Sequence, residues 1–242
     1  MIEIRHASTP DDLRAVYRFR YKVYVEEMAR KLIHVDHTAR LLADPLDVPA
    51  AVVLTAWDAG EVVGTLRTDF LRSSNIGDYA KYYSLANLSP EQIATTSITT
   101  RPMVYPRYRG TTLATRLACE AFRDALERGI TIDFMECRAH LDAYDARLGY
   151  RPHRTDLVHP EFGAVAVRRL DLLDCPHLDA VRSPLRKTHQ SWLESRAKAS
   201  ERAVVLTTDR RETWAEEAVD ALANSRDARP QRLDSVQEAV AA

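Results

Sequence analysis

The chain has 242 residues, enough for one sizeable domain with an appendage, and its 45% hydrophobic and 29% charged content is ordinary for a soluble globular protein. A formal net charge of −1 provides no global field to draw in nucleic acid or an anionic membrane. The three cysteines, Cys119, Cys137 and Cys175, form no CxxC pair, which argues against a disulfide framework and against a zinc site.

Reduced thiols suit the cytoplasm, and the first residues lack an apolar signal core. No apolar run reaches the ~20 residues a membrane-spanning helix needs. A cytoplasmic protein without a membrane span is therefore expected.

Ile2–His6 alternates apolar and polar residues as a short strand does. Ser8-Thr9-Pro10-Asp11-Asp12 supplies a capping hydroxyl, a first-turn proline and acids at the positive helix end, so a helix should run from here to about Met28. Residues 29–49 lack periodicity and are expected to form a long functional loop or lid. A hairpin follows, with strands Ala51–Trp57 and Glu61–Leu71 around the turn Asp58-Ala59-Gly60.

Residues 72–92 read as irregular with a short helix, and Thr95–Val104 as a central strand. Thr111–Arg128 is an amphipathic helix closed by Gly129. Strand Thr131–Cys137, helix His140–Leu148 and strands Tyr150–Thr155 and Ala164–Leu172 complete an α+β arrangement around one sheet. Beyond Cys175 the composition shifts to Ala, Arg and Glu, with candidate helices Ser183–Ser200 and Arg210–Asn224 and a polar end from Ser225. This tail is expected to be a helical extension, a homodimer contact, or partly disordered.

The most informative stretch is Arg101-Pro-Met-Val-Tyr-Pro-Arg-Tyr-Arg-Gly-Thr-Thr-Leu-Ala. A strand ends, an arginine-glycine turn follows, and a helix begins at once. That arrangement presents free backbone N–H groups at a helix start, where a phosphate or pyrophosphate is held, with Arg107 and Arg109 as charged donors beside it. Solvated arginines on a plain strand-turn-helix are the alternative.

This segment resembles the acyl-donor motif of the GNAT acyltransferase superfamily, Gln/Arg-x-x-Gly-x-Gly/Ala, with Arg109 at its first position and Ala114 at its last. Thr112 stands where the family prefers glycine. Leu148-Gly149-Tyr150 is similar to the Leu-Gly-Phe run that follows later in the family. The resemblance implies the GNAT fold over residues 1–175, an α/β-layered, mixed and mostly antiparallel central sheet flanked by helices, with a helical extension over 176–242.

It also implies that Met103, Val104, Arg107, Arg109, Gly110, Thr111, Thr112, Leu113 and Ala114 hold the donor. That donor would be an acyl-carrier-protein or acyl-CoA thioester, with no permanent cofactor and no metal. Many family members protonate the leaving thiolate with a tyrosine four residues before the glycine; that position is Asp145 here, and Tyr144 lies one residue earlier.

A narrower resemblance lies upstream. Arg20-Tyr-Lys-Val-Tyr24, Asp44-Pro-Leu-Asp47, Arg67 and Arg101 look like the charged cluster of autoinducer (acyl-homoserine-lactone) synthases and long-chain N-acyl amino acid synthases. This resemblance makes Arg20, Tyr24, Asp44, Asp47, Arg67 and Arg101 the acceptor side, although Arg20 with either aspartate also fits a structural ion pair. Leu42 and Ile98 replace glutamates of the autoinducer synthases, which leaves the N-acyl amino acid synthases as the closer match.

The expected reaction is direct aminolysis. A backbone N–H near Met103 or Val104 would polarise the thioester carbonyl, His140 or Glu136 would take the amine proton, and Tyr144 would protonate the thiolate. Cys137 reads as core or channel lining. Arg182, Arg186, Lys187 and Arg196 in the tail offer an acidic carrier protein a docking face, or are simply solvated. A non-catalytic acyl-thioester sensor and an acyl-homoserine-lactone synthase remain as competing readings.

Overall fold

Strand β1 (Glu3–His6) leads into helix α1 (Pro10–Tyr21). The cap is a reciprocal pair: Asp12 N–H donates to the Thr9 hydroxyl, and Thr9 N–H to the Asp12 carboxylate, with Pro10 opening the helix. The expected continuous helix to Met28 changes character. Residues Lys22–Glu27 widen into a π-helical turn closed by Met28 N–H on the Val23 carbonyl. Such turns insert an extra residue and cluster at functional sites.

The computed structural model describes residues 1–47, 50–73, 79–159 and 161–200. Two compact units divide the chain, 1–192 and 193–242, and of the second only 193–200 is described, as helix. The candidate helix Arg210–Asn224, and any homodimer contact through it, lie outside the described residues.

The segment expected to be a loop contains a small ribbon, β2 (Val35–Asp36) with β3 (Leu41–Leu42). The hairpin β4 (Val52–Asp58) and β5 (Glu61–Phe70) forms as expected. Short helices α2 (Tyr79–Tyr82) and α3 (Pro90–Ala94) precede β6 (Thr96–Val104). Helix α4 (Leu113–Glu127), β7 (Ile132–Cys137), α5 (Asp142–Leu148), β8 (Arg151–His159), β9 (Gly163–Asp171) and α6 (Cys175–Ala180) follow, with residues 185–192 helical at the end of the first unit.

The seven-stranded sheet runs β1-β4-β5-β6-β7-β9-β8, antiparallel at every step but β6–β7, which is parallel. Pleat alternation assigns the faces. Leu54, Leu66, Leu113, Leu117 and Ala121 bury α4 against one face. Arg67, one residue out of phase with Leu66, turns to the other face, where it shares Asp47 with Arg20 of α1 and also meets Asp44. On that second face Ile98 and Phe134 pack under Tyr83 and Leu85.

Residues 176–192 lie in the first unit. Leu178 and Leu185 are 0% and 2% exposed, in one cluster with Phe122, Ala125, Leu148 and Leu170.

Gly149 ends α5 at φ +115°, where a Cβ would lie 2.7 Å from Leu178 Cδ2. Gly149→Ala adds left-handed strain to overpacking, each worth about 1–3 kcal/mol. A stability loss of roughly 3 kcal/mol is expected, seen in a thermal melt as a Tm lowered by about 6–12 °C. A Tm within about 2 °C of the parent would show that Leu178 yields to the methyl group.

Candidate active site

The site begins with an interrupted sheet. Parallel pairing between β6 and β7 stops at Thr99↔Met135, although β6 continues to Val104 and β7 to Cys137. On its other edge β6 stays bonded to β5 but carries an extra residue: Thr65 faces Met103 while Arg67 faces Thr100. Arg101 sits in this bulge at φ +54°, a left-handed conformation costly for a non-glycine residue. The bulge carries the end of β6 away from β7 and leaves a slot between them.

A cavity of about 920 Å³ fills the slot and runs beneath α4. At one end are Arg109, Gly110, Thr111, Thr112 and Ala114 of the α4 start, with His140, Leu141 and Tyr144. Along its length run Ala114, Ala118, Ala121 and Ala125, a stripe at 4-3-4 spacing on one helix face, ending among Leu148, Leu170, Leu172 and Leu185. Alanines there keep α4 from filling the space. Pro102, Met103, Thr65, Thr99 and Glu136 also line it, so the cavity reaches through the sheet.

Glu136 marks the second face. It alternates with Met135 and shares its side with Phe134. Burial pushes its carboxyl up to about 7, against the opposing pull of the Tyr83 hydroxyl and Arg101. A carboxyl with that pKa is matched to taking a proton near neutrality. Burial likewise holds the Tyr144 hydroxyl protonated beside Thr115, and raises the Asp145 carboxyl, next to the Cys137 thiol, to about 6.

Val104 supplies a backbone donor. Tyr105 N–H donates to the Val63 carbonyl, so the alternation of an extended strand points the Val104 N–H and C=O away from β5, toward the slot. The Val104 carbonyl accepts from Arg109 Nε at 3.3 Å, as this direction requires.

The α4 start is reached through a 3₁₀ turn (Pro106–Tyr108), so the helix begins two residues later than expected, at Leu113. Thr112 makes no side-chain cap, and the Thr111 hydroxyl instead accepts from Leu113 N–H at 3.2 Å. Arg109 is engaged: it forms a two-pronged pair with Glu27 at the end of the π-turn, at 2.5 and 2.9 Å. A donor phosphate at this helix start would compete with Glu27 for it. Leu113 is 1% exposed and belongs to the core rather than the cavity, and Arg107 lines a different recess.

The upstream charged residues come together on the second face. Arg67, wholly buried, reaches Asp44 at 2.8 Å, Asp47 at 3.5 Å and Asp69 at 2.9 Å. Arg20 pairs with Asp47 on both carboxylate oxygens. Arg101 binds Asp44 at 2.8 Å and approaches Glu161 at 3.7 Å, between the rings of Tyr24 and Phe162, each 5.5 Å away. Arg67 and Arg101 hold the Asp44 carboxyl far below the usual carboxylate range despite its burial, while Asp44 also caps its own turn through Leu46 N–H. Turn capping and ion pairing coexist here.

Several lining residues carried no motif: Ala118, Ala121 and Ala125 of the stripe, Met28, and Asp133. Asp133 accepts hydrogen bonds from Ser97 and Tyr150, each at 2.5 Å, and burial raises its carboxyl to about 6. Only the alanine spacing was readable beforehand. His140 is at the cavity mouth and exposed, and Cys137 is buried outside the lining.

The split sheet with a cavity crossing it at a helix start is the arrangement of the GNAT fold, and the family match makes the protein an acyltransferase. Residues 15–169 match the family model of N-acyl amino acid synthase FeeM, and the chain belongs to that family. A search of curated protein sequences finds no match.

The solved structure of FeeM, an N-acyl amino acid synthase from uncultured soil microbes, aligns with TM-score 0.59 at 15% identity, covering 77% of this chain and 97% of that one. BjaI, a CoA-dependent acyl-homoserine lactone synthase solved with SAM and isopentyl-CoA, gives 0.58 at 17%, covering 76% and 90%. An acyl-CoA N-acyltransferase from Pseudomonas aeruginosa gives 0.50 at 22%, covering 70% and 98%. At these identities the structures speak to the fold, and the family match carries the activity. No helix of the described residues is long and apolar enough to cross a membrane.

Proposed function

We propose that the enzyme transfers a long acyl chain from a pantetheine thioester to the amine of an amino acid. The supporting observation is the single cavity that joins an alanine-lined channel on one face of the sheet to Glu136 on the other. Along α4 from Ala114 to Ala125 the channel extends about 16 Å at 1.5 Å per residue, a length that suits long acyl groups.

The thioester carbonyl lies in the slot, its oxygen on the Val104 N–H. Arg109, Gly110, Thr111, Thr112 and Ala114 grip the phosphate and so fix the carbonyl for attack. The amine approaches from the Arg101 side, where an acceptor carboxylate finds a guanidinium. Its nitrogen attacks the carbonyl carbon, its proton passes to Glu136, the C–S bond breaks, and the thiolate takes a proton from Tyr144.

Leu42 and Ile98, 2% and 0% exposed, occupy with apolar packing the places where an autoinducer synthase carries glutamates, which disfavours S-adenosylmethionine as acceptor. The test is thiol release from donors graded from short to long, offered with mixed amino acids, with products identified by mass spectrometry. Acyl-amino acids from long donors are expected. Ala118→Phe should lower kcat/KM for long donors at least tenfold relative to short ones by blocking the channel. Equal loss for all lengths would place the chain elsewhere.

A further inference from the structure

The channel beneath α4 is not apolar throughout. Besides the alanine stripe and its leucines, the walls include two buried acids, Asp133 of β7 and Asp145 of α5. Tyr150 joins them: its hydroxyl donates to the Asp133 carboxylate and its N–H to the Asp145 carbonyl.

The two acids differ in what they touch. Asp133 is satisfied, with the Ser97 and Tyr150 hydroxyls donating to its two oxygens at 2.5 Å each. Asp145 is not. It is 2% exposed, yet its Oδ2 has no hydrogen-bond partner among the described residues. Arg168, the guanidinium beside the adjoining Cys137, pairs with Asp142 instead. Burial raises the Asp145 carboxyl to about 6, so near neutrality it is largely ionised and can only accept. A buried carboxylate oxygen without a donor is costly, and the donor it lacks is not in the chain.

Position narrows what that donor is. Asp145 adjoins Cys137, the last residue of β7, and the slot opens past the Thr99↔Met135 pair. The acid therefore stands where an acyl chain leaves the slot and enters the channel. A plain alkyl chain would set a methylene against this oxygen and expel any water that served it. A hydroxyl on the chain would donate to it. A ketone at the same carbon offers only lone pairs, which a carboxylate repels.

We infer that Asp145 selects a hydroxylated acyl group, its Oδ2 accepting from a hydroxyl at C3, the first carbon clear of the carbonyl contact in the slot. The inference rests on the proposed acyl transfer and names the class of acyl group transferred.

The test compares three coenzyme A thioesters of equal chain length: unsubstituted, 3-hydroxy and 3-oxo. Thiol release with mixed amino acids gives kcat/KM for each donor in the parent, in Asp145→Leu and in Asp145→Asn. The parent should prefer the 3-hydroxy donor about tenfold or more over the other two. Leucine should bring the 3-hydroxy and unsubstituted donors close to equal. Asparagine both accepts and donates, so it should keep the 3-hydroxy donor and recover the 3-oxo one.

Equal use of all three donors by the parent would overturn the inference, and so would a preference that survives in Asp145→Leu. Losses in Asp145→Leu that are the same for every donor would also sink it, because a structural, pantetheine-binding or thiolate-protonating role would act that way. Turnover without hydroxyl preference leaves acyl transfer standing, whereas no turnover of any donor overturns both readings.

Discussion

Glu136→Gln is expected to lower kcat by about 10²–10⁴ with little change in donor affinity, because it removes the acceptor of the amine proton and keeps the shape of the slot. Burial raises this carboxyl to about 7, so activity in the parent should climb as pH passes that value and the base ionises. The glutamine variant should lose this limb of the profile.

The linkage to stability has a definite sign. The folded-state pKa lies above the ordinary value of 4.5, so the folded protein binds the proton more tightly than the unfolded chain does. The corresponding stabilisation is complete below pH 4.5 and is lost as pH rises through about 7. Glutamine does not titrate, so the variant should gain stability relative to the parent above pH 7. A variant that keeps kcat within threefold and retains the same pH limb would exclude Glu136 as the base.

Arg67→Met should destabilise the fold by about 3–5 kcal/mol, measured by urea denaturation. Methionine fills similar volume, but it leaves Asp44, Asp47 and Asp69 facing one another without the guanidinium that joins them. Asp69 is the most sensitive. Burial already raises its carboxyl to about 6 with Arg67 pulling it down, so removing Arg67 moves it higher. A carboxyl with a raised folded-state pKa loses its stabilisation as pH increases through that value, so the variant should weaken more steeply than the parent above pH 6. A loss under about 1 kcal/mol would mean that Arg101 and Arg20 suffice to hold the cluster together.

Much of this was legible in the chain itself. Thr9-Pro10-Asp11-Asp12 states a helix start in local chemistry, and the alternation of Val52–Asp58 and Glu61–Phe70 around Ala59-Gly60 states a hairpin. Arg109-Gly110 before an amphipathic run pointed to the helix start that borders the cavity. What could not be read depends on contacts between distant segments. The π-turn at Lys22–Glu27 has no local signature; Tyr24 meets Arg101 and Glu27 meets Arg109 from it.

Strand β8 extends to His159 instead of stopping near Thr155, because β9 supplies partners as far as Gly163. Glu136 is readable as a candidate base and Asp145 as the occupant of the tyrosine position, but the burial that raises both carboxyls is not. Their environment is set by where β6 leaves β7, and that parting follows from one extra residue at Arg101-Pro102.

The same parting bears on how the proposed reaction would end. An acyl-amino acid made in the gap would have its tail under α4 and its head beside Arg101, on opposite sides of one hydrogen-bonded layer. Sideways escape would require breaking β6 from β5 or β7 from β9, so such a molecule would slide out lengthwise. The spent thiol, at the α4 end of that route, would depart first, in an order of exit imposed by the strands themselves.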